Sequence, residues 1–167
     1  MKRTVLQATL AACVVLAATA CGSDEGSGAT DRGGQVEQSP TSTPEASAEA
    51  FHEFSGVHLP DGAENPEITV ELDDRGSPVY WVSFGGPRAA ADQLCEQVGN
   101  YLIQARGVSD EQAETLRIPE SDLAAANEPV WGCSAVIQST GADIEAVVLP
   151  MDDDTARVYL RAEAFRT

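Results

Sequence analysis

The four cysteines of this chain fall into two pairs, and that division constrains the rest of the 167-residue sequence more than any other feature. Cys13 and Cys21 lie in an apolar opening stretch. Cys95 and Cys133 lie far downstream, in a body with alternating and helical hydrophobic patterns. Two cysteines at the end of an apolar run and two inside a patterned domain call for separate physical accounts.

Lys2 and Arg3 form a short basic segment, and Val5 to Ala20 is apolar apart from Gln7, Thr9 and Thr19. This run is shorter than the roughly 20 apolar residues of a comfortable transmembrane helix and suits the core of a signal peptide. Ala18-Thr19-Ala20 would serve an ordinary signal peptidase, which leaves plain secretion as the bland reading. The next residue, however, is Cys21, followed by Gly22-Ser23-Asp24-Glu25-Gly26-Ser27-Gly28. Here the segment resembles bacterial lipoprotein leaders, whose usual pattern is Leu, two small residues and Cys. Thr19-Ala20-Cys21 matches three positions, and Ala18 departs from the usual Leu. Leu10-Ala11-Ala12-Cys13 matches the motif better. Processing there would leave Val14 to Ala20 apolar at the new terminus and an apolar core of fewer than about ten residues. The sequence therefore predicts lipidation of Cys21, where the apolar run stops. Two or more acyl chains on that residue would give a stable membrane anchor.

From Gly22 to Ala50 the chain is rich in Gly, Ser, Thr, Pro, Glu and Gln, with Val36 as its only larger aliphatic residue. Such a composition cannot bury enough apolar surface to offset the entropy of ordering. It reads as a flexible linker of about 29 residues, spanning about 30 Å on average. The run Ser39-Pro40-Thr41-Ser42-Thr43-Pro44 has the composition of O-glycosylated stalks, a weaker reading than plain linker. The expected layout is a leader at 1–20, the lipidated cysteine and linker at 21–50, and one domain at 51–167.

The chain carries 10 basic and 27 acidic residues, a net charge of −17. Without Lys2 and Arg3 the remainder holds 8 basic against 27 acidic residues, or −19. That balance excludes nucleic acid as a partner and excludes direct electrostatic adhesion to anionic lipid. Every cation after Lys2 is arginine, which removes mechanisms that need a lysine nucleophile or base.

In the body, Phe51 to Asn65 is loop-like, with Pro60 and the turn pair Asp61-Gly62. Ile68, Val70 and Leu72 alternate with Thr69, Glu71 and Asp73, the pattern of a half-buried strand. Asp74-Arg75-Gly76-Ser77 is a turn, and Val79 to Phe84 returns as a second strand. After Gly85-Gly86-Pro87, the residues Ala91, Leu94, Cys95, Val98, Tyr101, Leu102 and Ala105 keep helical spacing, which predicts the main helix, ending at Arg106-Gly107. Ser109 and Gln112 form a candidate capping box for a short helix to about Arg117, and Asp122 to Asn127 is a candidate further turn. Three strands follow, at 130–138, 143–149 and 155–165. The order β-β-α-α-β-β-β predicts a two-layer α+β domain, with one main helix and a short helix packed on an antiparallel sheet of about five strands.

Cys95 falls in the middle of the helix's apolar stripe. Cys133 shares a strand face with Trp131, Ala135 and Ile137. Two buried cysteines in an exported domain are expected to pair. Closing that loop is worth roughly 4 kcal/mol in the chain-entropy model. A metal site would want more ligands, and the chain's two histidines, His52 and His58, sit in or near the linker as exposed loop residues.

No catalytic signature accompanies this frame. The sequence has no Gly-x-Ser-x-Gly elbow, no His-Glu-x-x-His helix, no phosphate loop and no dinucleotide fingerprint. No catalytic residue, cofactor or metal ligand is assigned. Asp152-Asp153-Asp154 and Asp73-Asp74 have the oxygen ligands that calcium takes, but such runs are more often solvated turns. Trp81 and Trp131 fit sheet or core packing better than a ligand surface.

The Thr-Ala-Cys-Gly-Ser-Asp junction, the Ser/Thr/Pro linker, and Leu59-Pro60-Asp61-Gly62-Ala63 ahead of a hairpin ending Phe84-Gly85-Gly86-Pro87-Arg88 together resemble small secreted lipoproteins of actinobacteria, of Streptomyces type. The resemblance implies a cell-membrane address on the extracytoplasmic face and brings no active site with it. The expectation is a monomeric, non-catalytic binding module at the cell surface, with a protein or small molecule as partner. An accessory regulator of a membrane sensor or envelope-stress system is the alternative. A hydrolase acting on the cell wall is the third reading, and it requires carboxylates clustered around a deep cleft.

Overall fold

Hairpin chemistry builds most of this domain. Asp73 accepts hydrogen bonds on Oδ1 from the backbone N–H groups of Arg75 and Ser77, at 2.9 and 2.7 Å. That turn joins β1 (Glu64–Leu72) to β2 (Pro78–Pro87) in antiparallel register, with Leu72 opposite Pro78 and Ile68 opposite Val82. Asp152 does the same for the last hairpin, accepting from the N–H groups of Asp154 and Thr155 at 2.9 and 2.7 Å. An aspartate that caps its own turn in this way fixes both the turn and the register of the strands beyond it.

The computed structural model describes residues 44–103 and 107–166. Cys13, Cys21, the leader and the linker as far as residue 43 lie outside the described residues. Six strands form one antiparallel sheet in the order β1-β2-β6-β5-β4-β3, where β3 is Tyr101–Ile103, β4 Trp131–Ile137, β5 Ala142–Pro150 and β6 Thr155–Ala164. The central pair, β5 and β6, is the final hairpin. β6 closes the sheet by pairing with β2, from Tyr80 opposite Ala162 to Pro87 opposite Thr155. The α+β architecture predicted from the sequence is present, with one strand more than the expected five.

Alternation along the strands separates two faces. On the first, Tyr80, Val82 and Phe84 of β2 join Ile144, Ala146 and Val148 of β5 and Val158, Leu160 and Ala162 of β6, all buried. Two helices cover them. α2 (Arg88–Val98) contributes Ala91, Leu94, Cys95 and Val98. α1 (Ala48–Ser55) contributes Phe51, fully buried, whose ring meets Tyr80 edge-on at 6.0 Å. Cys95 and Cys133 are disulfide-bonded with their Cα atoms 5.4 Å apart, which ties α2 to β4.

Helix α1 occupies residues that the sequence reading assigns to the end of the linker and the following loop. It is only eight residues long, with one large buried anchor, so its hydrophobic period is faint. Its capping is nonetheless complete. Ser47 accepts from the N–H of Ala50 at 3.2 Å. Gly56, at φ +76°, takes the left-handed position after the last turn and donates to the carbonyl of His52.

The main helix also ends earlier than its apolar period suggests. α2 stops at Val98, Gly99 and Asn100 both take positive φ (89° and 47°), and Tyr101–Ile103 pairs with β4 as the edge strand β3. Tyr101 and Leu102 are half-exposed and do not continue the helix's buried stripe. Gly99-Asn100 is a poor helical dipeptide that takes left-handed conformations readily, and it overrides the spacing around it.

The second face has its own cover of short helices over part of the sheet. α3 (Asp110–Thr115) and α4 (Glu120–Ala125) lie there. Ala113, Leu116, Ile118 and Val130 pack on Val147, Leu149 and Tyr159. β5 is consequently buried on both sides from Ala146 to Pro150. Ser109 caps α3 as expected, accepting from the N–H of Gln112 at 3.2 Å. The Gln112 side chain does not complete the box; it reaches the sheet instead.

Candidate functional site

Beyond the footprint of α3 and α4, the second face carries charge instead of core. Strand alternation brings Asp143 and Glu145 of β5, Arg161 and Glu163 of β6 and Ser134 of β4 to this side. Cross-strand register sets Asp143 opposite Glu163, and Glu145 opposite both Arg161 and Ser134. Leu102 from β3 stands at the rim, 51% exposed. These residues and Gln112 line an open recess of about 270 Å³.

Its electrostatics follow from three carboxylates around one guanidinium. Arg161 engages Glu163 bidentately, each terminal nitrogen 2.8 Å from a carboxylate oxygen. Glu145 accepts a 2.6 Å hydrogen bond from the Gln112 amide. Asp143 is left with the poorest environment. Burial, then the neighbouring Glu163 and Glu145, push its carboxyl above the usual range, and Arg161 only partly opposes them. The raised Asp143 follows from this crowding and needs no reaction to explain it. Glu163 and Glu145 already have partners, and the recess is open, unlike the deep cleft of the hydrolase reading.

Trp81 separates this recess from a second one. Its indole N–H donates to the Thr115 carbonyl at 2.9 Å, tying β2 to α3. The Arg117 guanidinium lies 3.5 Å from the ring centroid and that of Arg161 5.9 Å. The second recess, about 200 Å³, is walled by Trp81, Arg117, Arg157 and Tyr159, with Thr69, Ser83 and Glu67 also lining it. Arg117 sits at φ 57° and pairs with Glu71 at 2.8 Å. The Tyr159 hydroxyl donates to Asp122 of α4, and Arg157 reaches the same carboxylate at 3.1 Å. Burial, reinforced by Asp122, pushes the Tyr159 phenol up to about 12.

The residues singled out in the sequence lie elsewhere. Trp131 is buried in the first-face core, with Arg88 stacked 4.3 Å from its ring centroid. Asp73 and Asp152 accept from turn N–H groups. Both carboxyls lie below the usual range, Asp73 chiefly through the Ser77 N–H and Asp152 chiefly through the Thr155 hydroxyl, then the N–H groups of Asp154 and Thr155. Among the described residues, no group of three or more His, Cys, Asp or Glu side chains is placed to hold a metal ion. His52 is not the exposed loop residue expected. It lies on α1, half-buried, stacked on His58 with ring centroids 3.5 Å apart and planes 20° from parallel. Near-parallel rings point their nitrogen lone pairs side by side, so the stack does not converge on one metal. Gln97 holds the His58 backbone from both sides, accepting from its N–H and donating to its carbonyl.

Asp143, Glu145, Arg161, Glu163, Arg117 and Arg157 were not legible as a set. Each is a polar residue in a strand or turn, and only the β5–β6 register and the return of β6 to β2 gather them. The one sequence signal was the polar alternation Asp143-x-Glu145 and Arg161-x-Glu163 in consecutive strands. No protein-family model, curated protein or solved structure matches this chain.

Proposed function

We propose that this protein is a non-catalytic binding module, held on the outer face of a membrane by lipid on Cys21, that engages its ligand through the second face of the sheet. The observation that carries the reading is the charged recess itself. Four ionisable side chains are set into a sheet face whose other half is ordinary apolar core. Replacing partly buried ion pairs by well-packed apolar residues is often neutral or stabilising, so packing alone gives no reason to keep them. The Cys95–Cys133 bond fits an oxidising compartment. The leader that ends just before Cys21 supports the anchor, and a ligand close to the membrane suits a domain on a short linker.

Two measurements test the two halves of the proposal. Metabolic labelling with a palmitate analogue should mark the protein and fail for Cys21→Ala; label that never appears, or that survives the substitution, overturns the anchor. A photoreactive side chain at position 102 should give a discrete adduct in intact cells that disappears when Glu145 and Glu163 are both changed to Gln. Adducts of equal yield from position 72, another exposed leucine, would remove the second face as the binding surface.

A further inference from the structure

The smaller of the two recesses on the second face is lined by two guanidiniums, Arg117 and Arg157, and by the carboxylate of Glu67. Glu71 and Asp122 pair with the two arginines, so an acid entering here must exchange with a carboxylate already held. Both arginines are held in place by their surroundings. Arg117 takes a left-handed backbone conformation, φ 57°, disfavoured for any residue with a Cβ. That conformation sets its guanidinium over Trp81 at 3.5 Å, and Trp81 is itself fixed by its bond to Thr115. A guanidinium stacked on an indole keeps its edge free to form in-plane hydrogen bonds. The edge partner here, Glu71, is 58% exposed, and Arg117 42%. Such a surface pair contributes little and can exchange.

The opposite wall shows the chemistry more directly. Asp122 is bound there by Arg157 and by the Tyr159 hydroxyl. An arginine and a phenol converging on a carboxylate is the donor set that recognises one. Arg157 meets Asp122 through Nη1, and the side chain is 52% exposed.

We propose that this recess binds a small ligand bearing one carboxylate, with Arg117 and Arg157 as its charge partners and Trp81, Thr69 and Ser83 against its body. The proposal rests on reading the second face as the binding face. A volume of about 200 Å³ lies below the usual range for drug-sized ligands. It admits a sugar acid or the last residue of a peptide, which share the carboxylate.

The test is a nuclear magnetic resonance titration of the full ¹⁵N-labelled chain, held in a non-ionic detergent. The two tryptophans give two indole N–H signals, one at the recess and one in the core. Glucuronate is compared with glucose, and N-acetylalanine with its primary amide. The Trp81 signal should move saturably with at least one acid and with neither neutral partner, while the Trp131 signal stays in place. Which acid acts identifies the source of the carboxylate. Arg157→Gln should weaken the response about tenfold. Arg117→Lys, which keeps the charge but loses the flat stacked fork, should weaken it as well. The Trp131 signal reports that each variant is folded. No movement with either acid, an equal response to the neutral partners, or unchanged affinity in Arg157→Gln overturns the proposal. The titration is independent of the anchor, so loss of lipid labelling at Cys21 would leave it standing.

Discussion

One sheet presents two unlike faces, and the same strands supply both. On β5, Ile144, Ala146 and Val148 point into the first-face core, while Asp143 and Glu145, on either side of Ile144, face the charged recess. The first face is closed by α1, α2 and a disulfide. The second is covered at one end by two helices of six residues each and is left charged at the other. Apolar packing fills the first face and the helix-covered end of the second. The open end is then free to carry side chains that a core would reject.

On that division of labour, the largest losses of stability belong to the first face. Replacing Cys95 and Cys133 by Ala should cost roughly 4 kcal/mol in denaturant unfolding, since the bond closes a separation of 38 residues. Reduction of the native protein should raise its intact mass by about 2 Da, the two hydrogens that open a disulfide. Two free thiols in protein recovered from outside the cell would break the argument. Leu94→Ala, at a fully buried position, should cost about 3 kcal/mol by the same measurement.

The charged part of the second face should tolerate change, with one exception that sharpens the contrast. Gly132 is buried against the Ala146 backbone, and a Cβ there would meet the Ala146 carbonyl oxygen. Gly132→Ala should therefore cost about 2 kcal/mol although it removes no contact. Tyr159→Phe takes one donor from Asp122 and should cost about 1 kcal/mol, since Arg157 remains.

The smallest effect has the opposite sign. Asp143 is raised in the folded protein, so the native state holds its proton to higher pH than the unfolded chain does. Stability falls as pH climbs from the ordinary carboxylate range through the raised value, and it stays reduced above. Asp143→Asn removes that penalty. It should raise Tm at pH 7 by about 2 °C, with the gain vanishing below about pH 4. A variant less stable than the parent at pH 7 would mean that the recess contributes to stability.

The sequence disclosed the first face far better than the second. Alternation in Ile68–Leu72, the apolar spacing from Ala91 to Val98 and the Trp131-Cys133 stripe each carry one strong period, and each led to the right element; the buried side was right for the last two, while in β1 Ile68 and Val70 are only partly buried and Leu72 is exposed. The pairing of Cys95 with Cys133 followed from those two stripes. Elements with weak periods were lost. α1 rests on Phe51 and two caps. β3 is three residues inside what spacing alone would continue as helix. The candidate site was hidden for a different reason. Arg117 comes from a loop, Trp81 from the second strand, and Arg157 and Tyr159 from the last. Only the long-range return of β6 to β2 brings them together, and that pairing leaves no local trace.

The bond between α2 and β4 also decides what a protease can do to this protein. Everything that covers the second face, from β3 through α4, belongs to the stretch between Cys95 and Cys133. A cut at Arg117, exposed in the loop joining α3 to α4, would sever the backbone without releasing either piece. The amino-terminal part would keep β1, β2 and α2, and the carboxy-terminal part β4 to β6, still joined through sulfur. A nicked molecule would run as one band on a non-reducing gel and as two after reduction, and at a cell surface both pieces would stay in place.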